Sequence, residues 1–391
     1  MIFTAERPPL VVLGNRSSKR LRDFSLDARR LGFAETQVLP YFDFITRRVS
    51  LADWLPARCV LRIESPGEDW EVEKLILSEG IGATAEEGGD PISKSGIARL
   101  PFRRGAIVRP RQWYLGYSAV LARIAGELDQ RSDVTVMADP RDVVTLFDKS
   151  ECQMRFEQVG IPVPRFWTGI TSYDQLRGEF RGERHRRLFV KLLHGFSAMG
   201  SMALEWLDGK VRAIAPMEFE RSAGGSQLFV TKRVRVYTDE LEIAELVDLL
   251  AKERILVEEW LPKARLNGRG FDLRIVTIAG RACHVVGRAS SSPFTNLNLD
   301  AQRIEAERVC DHLGGVWPHV SEISEQVAAS FPRSLYLGVD LLVSPRANSF
   351  AILEANAFGD YLPGLLHDGR STYECELRAV LAARGMALCT T

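Results

Sequence analysis

Apolar positions along this chain follow two rhythms: short runs that end at glycine or proline, and longer stretches with an apolar residue every three to four positions. The first reads as strands and the second as amphipathic helices. LVVLGN, from Leu10 to Asn15, is a strand ending in a glycine turn, followed by a helix from Leu21 to Leu31 that Gly32 stops. Cys59 to Ile63 is a second strand, which runs into Ser65, Pro66 and Gly67 and then a helix around Asp69 to Ser78. Ser65 or a neighbour would cap that helix, whose free N–H groups serve either a plain cap or a bound carboxylate or phosphate. Residues 80–105, rich in glycine and charge, read as a surface loop or flap. A helix around Tyr117 to Asp129 and the short strand VTVMADP close an N-terminal α/β domain near residue 145.

From Val143 the spacing predicts one helix with Cys152, Phe156 and Val159 on its apolar face, stopped by Gly160. The basic run RGERHRR reads as a solvated turn before the strand Leu188 to Leu193. A weakly patterned stretch, Val211 to Val236, precedes a helix around Glu240 to Lys252 and a strand ending at Leu261. Phe271 to Ile278 and Ala282 to Arg288 form a hairpin, and the polar loop SSSPFTNLNLD follows it. The strand pair within Leu335 to Asp360 and a last helix, Thr372 to Arg384, complete the chain. The fold class is α/β, α+β in the C-terminal part, with divisions at 1–145, 146–260 (carrying a glycine loop) and 261–391.

Several polar residues interrupt these apolar runs. In LYLGVDLLVSPRANSFAILEANAFGD, Leu337, Val339, Leu341 and Val343 share one strand face and Asp340 the other, while Glu354 and Asn356 share a face of the next strand. If SPRANS closes a hairpin in which Val343 opposes Ala351, Asp340 lies opposite Glu354 and three hard oxygen ligands meet. Carboxylates this close would raise one another's pKa, which points to Mg2+ with a phosphate completing its shell. An edge hairpin with polar residues facing water accounts for the pattern equally well.

Lys191 sits among apolar neighbours in FVKLL, where an unpaired ammonium is costly, so it requires an anionic partner. Its strand feeds His194-Gly195-Phe196-Ser197-Ala198-Met199-Gly200, a loop whose backbone N–H groups suit a phosphate, although no GK[ST] ends it. Lys149, in a first helical turn, opposes the helix dipole; a nearby anion explains it, and an ordinary surface lysine is the alternative. Asp272 and Arg274 share a strand face and Arg288 ends the next strand, an arrangement open to a structural ion pair as much as to a site.

Charge excludes more than it selects. Fifty-one basic and fifty-one acidic residues cancel, so no overall field draws the chain to nucleic acid or an anionic membrane. No apolar run approaches the about 18 residues of a membrane span, and the N-terminus lacks a long apolar core after a basic start, so a soluble, cytoplasmic protein is expected. Cys59, Cys152, Cys283, Cys310, Cys375 and Cys389 form no CxxC pair and read as reduced thiols; Cys310 with His312 lacks the further ligands of a zinc site. The absence of GxGxxG after the first strand argues against a nicotinamide or flavin cofactor.

Two lysines, a glycine loop, EEWL, a D-x-R strand and a final D…E-x-N, in that order, resemble the ATP-grasp superfamily over residues 140–370. The similarity looks closest to the glutathione-synthetase and glutamate-ligase branch. The resemblance implies an ATP-grasp fold behind a preceding α/β domain, with ATP and two Mg2+ ions as cofactors. It implies that Lys149 and Lys191 bind ATP phosphates beneath the loop of Gly195, Ser197 and Gly200. Glu258, Glu259, Trp260 and Leu261 would hold adenine, largely by backbone, with Asp272 near the nucleotide or substrate. Arg274 and Arg288 would stabilise the reacting phosphate and acyl group, and Asp340, Glu354 and Asn356 would ligate Mg2+ with Asn296 beside them. One departure is that NLNLDAQ replaces the family's glycine pair after this asparagine.

The activity so implied is an ATP-dependent carboxylate–amine ligase. It would form an amide through an acylphosphate and release ADP and phosphate, with an amino acid, peptide or related metabolite as substrate. Two alternatives stay open: a maturase that modifies an encoded peptide or protein tail, and an ATP-binding scaffold without turnover. Dimers are common in the family resembled, so a homodimer is among the expected assemblies.

Overall fold

The computed structural model describes residues 7–180, 185–222, 225–347 and 349–386. Successive stretches of chain form three sheets. The first has four parallel strands, ordered Gln37–Pro40, Leu10–Gly14, Val60–Ile63 and Thr135–Val136. Val11, Val12, Leu13, Val60, Leu61 and Ile63 are wholly buried, as a parallel sheet covered by helices requires. The second sheet is antiparallel, ordered Phe166–Trp167, Ile255–Glu259, His185–Leu192, Ser201–Leu207, Lys210–Ser222 and Gly225–Tyr237. In the third, also antiparallel, Gln302–Ile304, Arg281–Ser290, Arg269–Ile278, Tyr336–Val343 and Phe350–Asn356 lie side by side, and Arg265–Leu266 pairs with Arg269–Ile278.

The cores do not follow chain order. Val12, Leu61, Ile76, Val339, Leu341 and Val380 belong to one apolar cluster, so the parallel sheet and the third sheet share a core. The Leu335 amide joins them by donating to the Met137 carbonyl at 2.8 Å. The second sheet has a core of its own, where Leu188, Val190 and Leu192 pack with Leu246 and Leu250 of the helix Glu240–Ala251. Cys152 and Phe156 join the larger core rather than this one.

Several local expectations change. The single helix from Val143 is two helices, Pro140–Phe147 and Lys149–Gln158, because Asp148 is extended and its carboxylate accepts from the Ser150 and Glu151 amides. Val159 falls at the C-cap, 60% exposed, and not on the apolar face. Residues 80–105 carry the helices Ile81–Glu86 and Lys94–Arg99, anchored by buried Thr84 and Ile97, instead of a flap. Asp69 caps the helix Trp70–Glu79 through the Glu71 and Val72 amides, so Ser65 does not, and those donors are taken.

The weakly patterned stretch forms the long hairpin Lys210–Ser222 and Gly225–Tyr237, whose register shifts between Ala215 and Met217 and so blurs the alternation. Of the basic run, 181–184 lie outside the described residues. His185 to Arg187 already belong to a strand, and Arg187 donates to Glu205 at 2.5 Å. The five described cysteines are free, and Cys389 lies outside the described residues. Among the described residues no helix is long and apolar enough to cross a membrane.

Candidate active site

Asp340 pairs with Glu354 across the strands Tyr336–Val343 and Phe350–Asn356, as the hairpin reading required. Val343, however, opposes Phe350 and not Ala351, because the register shifts just beyond the Asp340 pair and Leu353 is left over as a bulge. Asn348 of the expected turn lies outside the described residues. Gly338 opposes Asn356, and a Cβ on it would lie 2.5 Å from the Gly359 Cα. Only glycine lets the chain after Asn356 fold back over the strand this closely.

The Asp340 carboxylate is balanced from the other side. Arg274, its neighbour on the strand Arg269–Ile278, donates from Nε and, at 3.1 Å, from Nη2; Arg288 adds Nη2 at 3.2 Å. Burial would raise the Asp340 carboxyl, but Arg274 and Arg288 together hold it below its ordinary value. The expected rise is thereby corrected for Asp340, where the two guanidiniums outweigh burial. Glu354 accepts from Lys149 Nζ at 3.2 Å. Asn356 keeps a buried Nδ2 without a partner. Two carboxylates and the Asn356 amide oxygen are hard ligands that fit a divalent cation, while the orphaned Nδ2, a donor, calls for an acceptor such as a phosphate oxygen. No cluster of three His, Cys, Asp or Glu gathers among the described residues, so such a site depends on Asn356 as a ligand.

Lys191 and Lys149 reach this place from different elements. The anion that Lys191 requires is Glu258, 2.5 Å away. Lys191 pairs with Leu256 and Glu258 with Phe189, so the two charges are diagonal neighbours on one face. Glu258 also accepts from Gln153 Nε2 at 3.1 Å. Burial lowers the Lys191 ammonium, but Glu258, and behind it Glu354 and Asp340, hold it above its ordinary value. The Glu259 and Trp260 amides donate to the Arg165 and Arg187 carbonyls at 2.8 and 3.1 Å, so they are already committed within the sheet. Trp260 packs edge-on to Phe189, ring centroids 5.5 Å apart.

Lys149 Nζ donates to the Gly195 carbonyl at 2.6 Å and ties its helix to the glycine loop. Ser197, Ala198 and Gly200 have φ of 52°, 63° and 67°. A Cβ on Gly200 would lie 2.2 Å from the Leu192 side chain, so glycine is needed where the loop closes on its strand. The Gly195 and Met199 amides are bonded inside the loop, to Leu192 and Phe196 carbonyls at 3.2 and 2.8 Å. Of the seven-residue run, Phe196, Ser197 and Ala198 keep amides outside these bonds, and all three line the cavity below. His194, at the root of the loop, is 2% exposed and stacks on Tyr114 at 3.9 Å. Its Nε2 lies 2.9 Å from Arg111 Nη1 and 3.2 Å from Asp148 Oδ2, and burial pushes the imidazole down to about 4.

Asp272, 2% exposed, lies opposite Arg288 and accepts from Arg288 Nε at 2.8 Å, Lys263 Nζ at 2.9 Å and the Thr295 hydroxyl. Burial would raise its carboxyl, but Arg288 and Lys263 hold it well below the usual carboxylate range. Lys263 and Thr295 escaped the sequence reading. The one signal for Lys263 was its place in LPKARL, between two strands already marked as site strands. Behind the site, fully buried Arg62 binds Asp360 and Glu376 at 2.5 Å each and Glu64 at 2.9 Å, fastening the chain beyond Asn356 to the parallel sheet. Arg20 adds bonds to Asp360 at 2.6 Å and to the Phe358 carbonyl at 3.2 Å.

One cavity of about 570 Å3 gathers these groups. Every residue singled out from the sequence lines it except Gly200, which closes the loop at its edge; Asn296 lines it as well. No family model and no curated protein matches the sequence. Solved structures do. The ATP-grasp ligase PsnB, complexed with a phosphomimetic variant of minimal precursor, Mg and ADP, is similar with a TM-score of 0.51 at 15% identity, covering 97% of this chain and 99% of that one. The chain has the ATP-grasp fold. A RiPP-associated ATP-grasp ligase of Chryseobacterium gregarium, in complex with ADP and a leader and core peptide, gives a TM-score of 0.51 at 12% identity, covering 97% and 98%. The macrocyclase MdnC, bound with precursor peptide MdnA from Microcystis aeruginosa MRC, gives 0.50 at 12% identity, covering 96% and 99%. In this fold the cavity lies where the second and third sheets meet the parallel sheet, with Lys191, Asp340 and Ser65 on its walls.

Proposed function

We propose that the chain is an ATP-dependent carboxylate–amine ligase that joins an acid to an amine through an acylphosphate and releases ADP and phosphate. The observation that carries this reading is the convergence of Lys149, Lys191, Arg274 and Arg288 with Asp340, Glu354 and Asn356 on one cavity. Lys149 and Lys191 would neutralise the phosphates beneath Phe196, Ser197 and Ala198. Adenine would lie along Glu258 to Leu261, with the contact falling beyond the committed Glu259 and Trp260 amides, at Leu261. Asp340, Glu354 and Asn356, with Asn296 beside them, would hold two Mg2+ ions, which supply charge neutralisation between the phosphates when bound. Arg274 and Arg288 stand next to Asp340 and would stabilise negative charge on the transferring phosphoryl group and on the acyl oxygen. Asp272 and Lys263 would keep the Arg288 guanidinium aimed at that place.

A carboxylate oxygen of the acid attacks the γ-phosphorus and ADP leaves; the amine then displaces phosphate from the acyl carbon. Fixed cations stabilise the charge that develops in both steps, so no activated nucleophile of the protein's own is required. Incubation with ATP, Mg2+ and pooled amino acids or peptides should release ADP and phosphate. Release of AMP and pyrophosphate would overturn the reading, and tight ATP binding without turnover on any acceptor would favour a silent scaffold. A narrower reading, maturation of an encoded peptide or protein tail, is supported by the precursor, leader and core peptides held by the three similar structures. Faster turnover of a short peptide encoded beside this chain than of free amino acids would favour it.

A further inference from the structure

The wall of the cavity facing the parallel sheet differs in chemistry from the nucleotide wall. Glu73, in the first turn of the helix Trp70–Glu79, lines it, and no cation is among the groups that influence its carboxyl. The same cavity is lined by an aromatic group: Trp113 stacks on Phe147 at 5.9 Å, and Phe147 meets Phe358 edge-on at 5.9 Å. Phe196, on the glycine loop, faces Trp113 at 6.3 Å, yet is 50% exposed and belongs to none of the apolar clusters. A half-exposed ring at the lip of a cavity gains free energy when an apolar group covers it. A partly buried carboxylate without a counter-ion gains likewise from an ammonium. The cavity is thus lined by the cations Lys149, Lys191, Arg274 and Arg288, by the aromatic group, and by Glu73 on a wall that also carries Lys19, Glu68 and Arg20, the last already bonded to Glu64 and Asp360.

We propose that Glu73, Trp113, Phe147, Phe196 and Phe358 form the acceptor subsite, which takes the α-ammonium and the apolar or aromatic side chain of an amino acid or of a peptide N-terminus. The inference rests on the ligase reading, in which the acid lies beside Arg274 and Arg288. Glu73 holds the ammonium and removes one proton from it. The freed nitrogen lone pair forms the C–N bond at the acyl carbon, the C–O bond to phosphate breaks with its electron pair leaving on phosphate, and the second proton lost by nitrogen goes to that phosphate. Burial raises the Glu73 carboxyl above its ordinary value, which improves it as a proton acceptor.

The test uses the full chain with Mg2+ and a non-hydrolysable ATP analogue, titrated calorimetrically with L-phenylalaninamide, glycinamide and N-acetyl-L-phenylalaninamide. Phenylalaninamide should bind at least about tenfold more tightly than either of the others, since one lacks the ring and the other the ammonium. Glu73→Gln should erase the preference for the free ammonium, Glu73→Asp should keep part of it, and Phe196→Ala should erase the preference for the ring. Equal affinity for the three amides, or no binding of any while the analogue binds, overturns the acceptor subsite and leaves the ligase reading standing. Failure of the analogue itself to bind overturns both.

Discussion

The ion pair between Lys191 and Glu258 gives the sharpest quantitative test of how this site is built. The two side chains are 14% and 3% exposed and 2.5 Å apart. At that separation the attraction is about 6–7 kcal/mol gross for an effective dielectric near 20, most of it offset by desolvation of both ions. Lys191→Met leaves Glu258 buried with only the Gln153 amide as donor, and an unbalanced buried charge costs about 3–5 kcal/mol. Glu258→Gln strands the ammonium with similar consequences, while the double variant removes both charges and should lose far less than the sum. Denaturant unfolding of the four proteins without nucleotide, read by a probe in the second sheet, closes the double-mutant cycle. A coupling of about 2 kcal/mol or more is expected. Because the folded Lys191 pKa is raised, the stabilisation is full below the unfolded lysine value and fades as pH climbs past the folded one. Additive effects, with coupling below about 0.5 kcal/mol, would refute the claim that these two charges stabilise each other.

Glu354→Ala should weaken ATP binding about 10- to 100-fold in Mg2+ and far less in chelator; affinity and turnover that both survive would rule out the metal assignment. For His194 the folded imidazole titrates near 4 against 6.5 unfolded, so the unfolded chain takes the proton first and stability falls as pH drops through that window. The loss is up to about 3 kcal/mol, and His194→Gln should flatten that part of the stability–pH curve; a curve unchanged by the substitution would disprove the neutral buried ring. In the Arg62 cluster, burial drives the Glu376 carboxyl well above its ordinary range despite Arg62, whereas Arg20 and Arg62 outweigh burial at Asp360 and hold it low. Glu376→Gln should therefore cost less than about 1 kcal/mol and Asp360→Asn about 3 or more; thermal melts showing the reverse order would contradict this charge assignment.

Much of this architecture was legible along the chain because it is local. Alternation and turn residues marked the strands Leu10–Gly14, Val60–Ile63, Arg269–Ile278 and Tyr336–Val343. The order of charged residues interrupting them led to the fold. Where the reading failed, a side chain or a pairing overrode the period. Asp148 broke one expected helix into two by capping the second from within. A bulge at Leu353 shifted the pairing beyond Asp340 by one residue. The helices at 81–86 and 94–99 hold together by burying a few residues, too few to show as a stripe.

The sequence alone determined that Asp340, Glu354 and Asn356 share a strand pair, that Lys191 is driven among apolar neighbours, and that a glycine loop follows it. It could not determine who balances whom. Lys191 with Glu258, Lys149 with Glu354, Asp340 with Arg274 and Arg288, and Asp272 with Lys263 are pairs set by sheet register and by packing between segments as many as 205 positions apart. Charge interactions depend on distance in space and on burial, and neither is a property of spacing along the chain. Only the folded chain, with two sheets sharing one core and the third packed against them, decided which cations were already matched and left Glu73 without one.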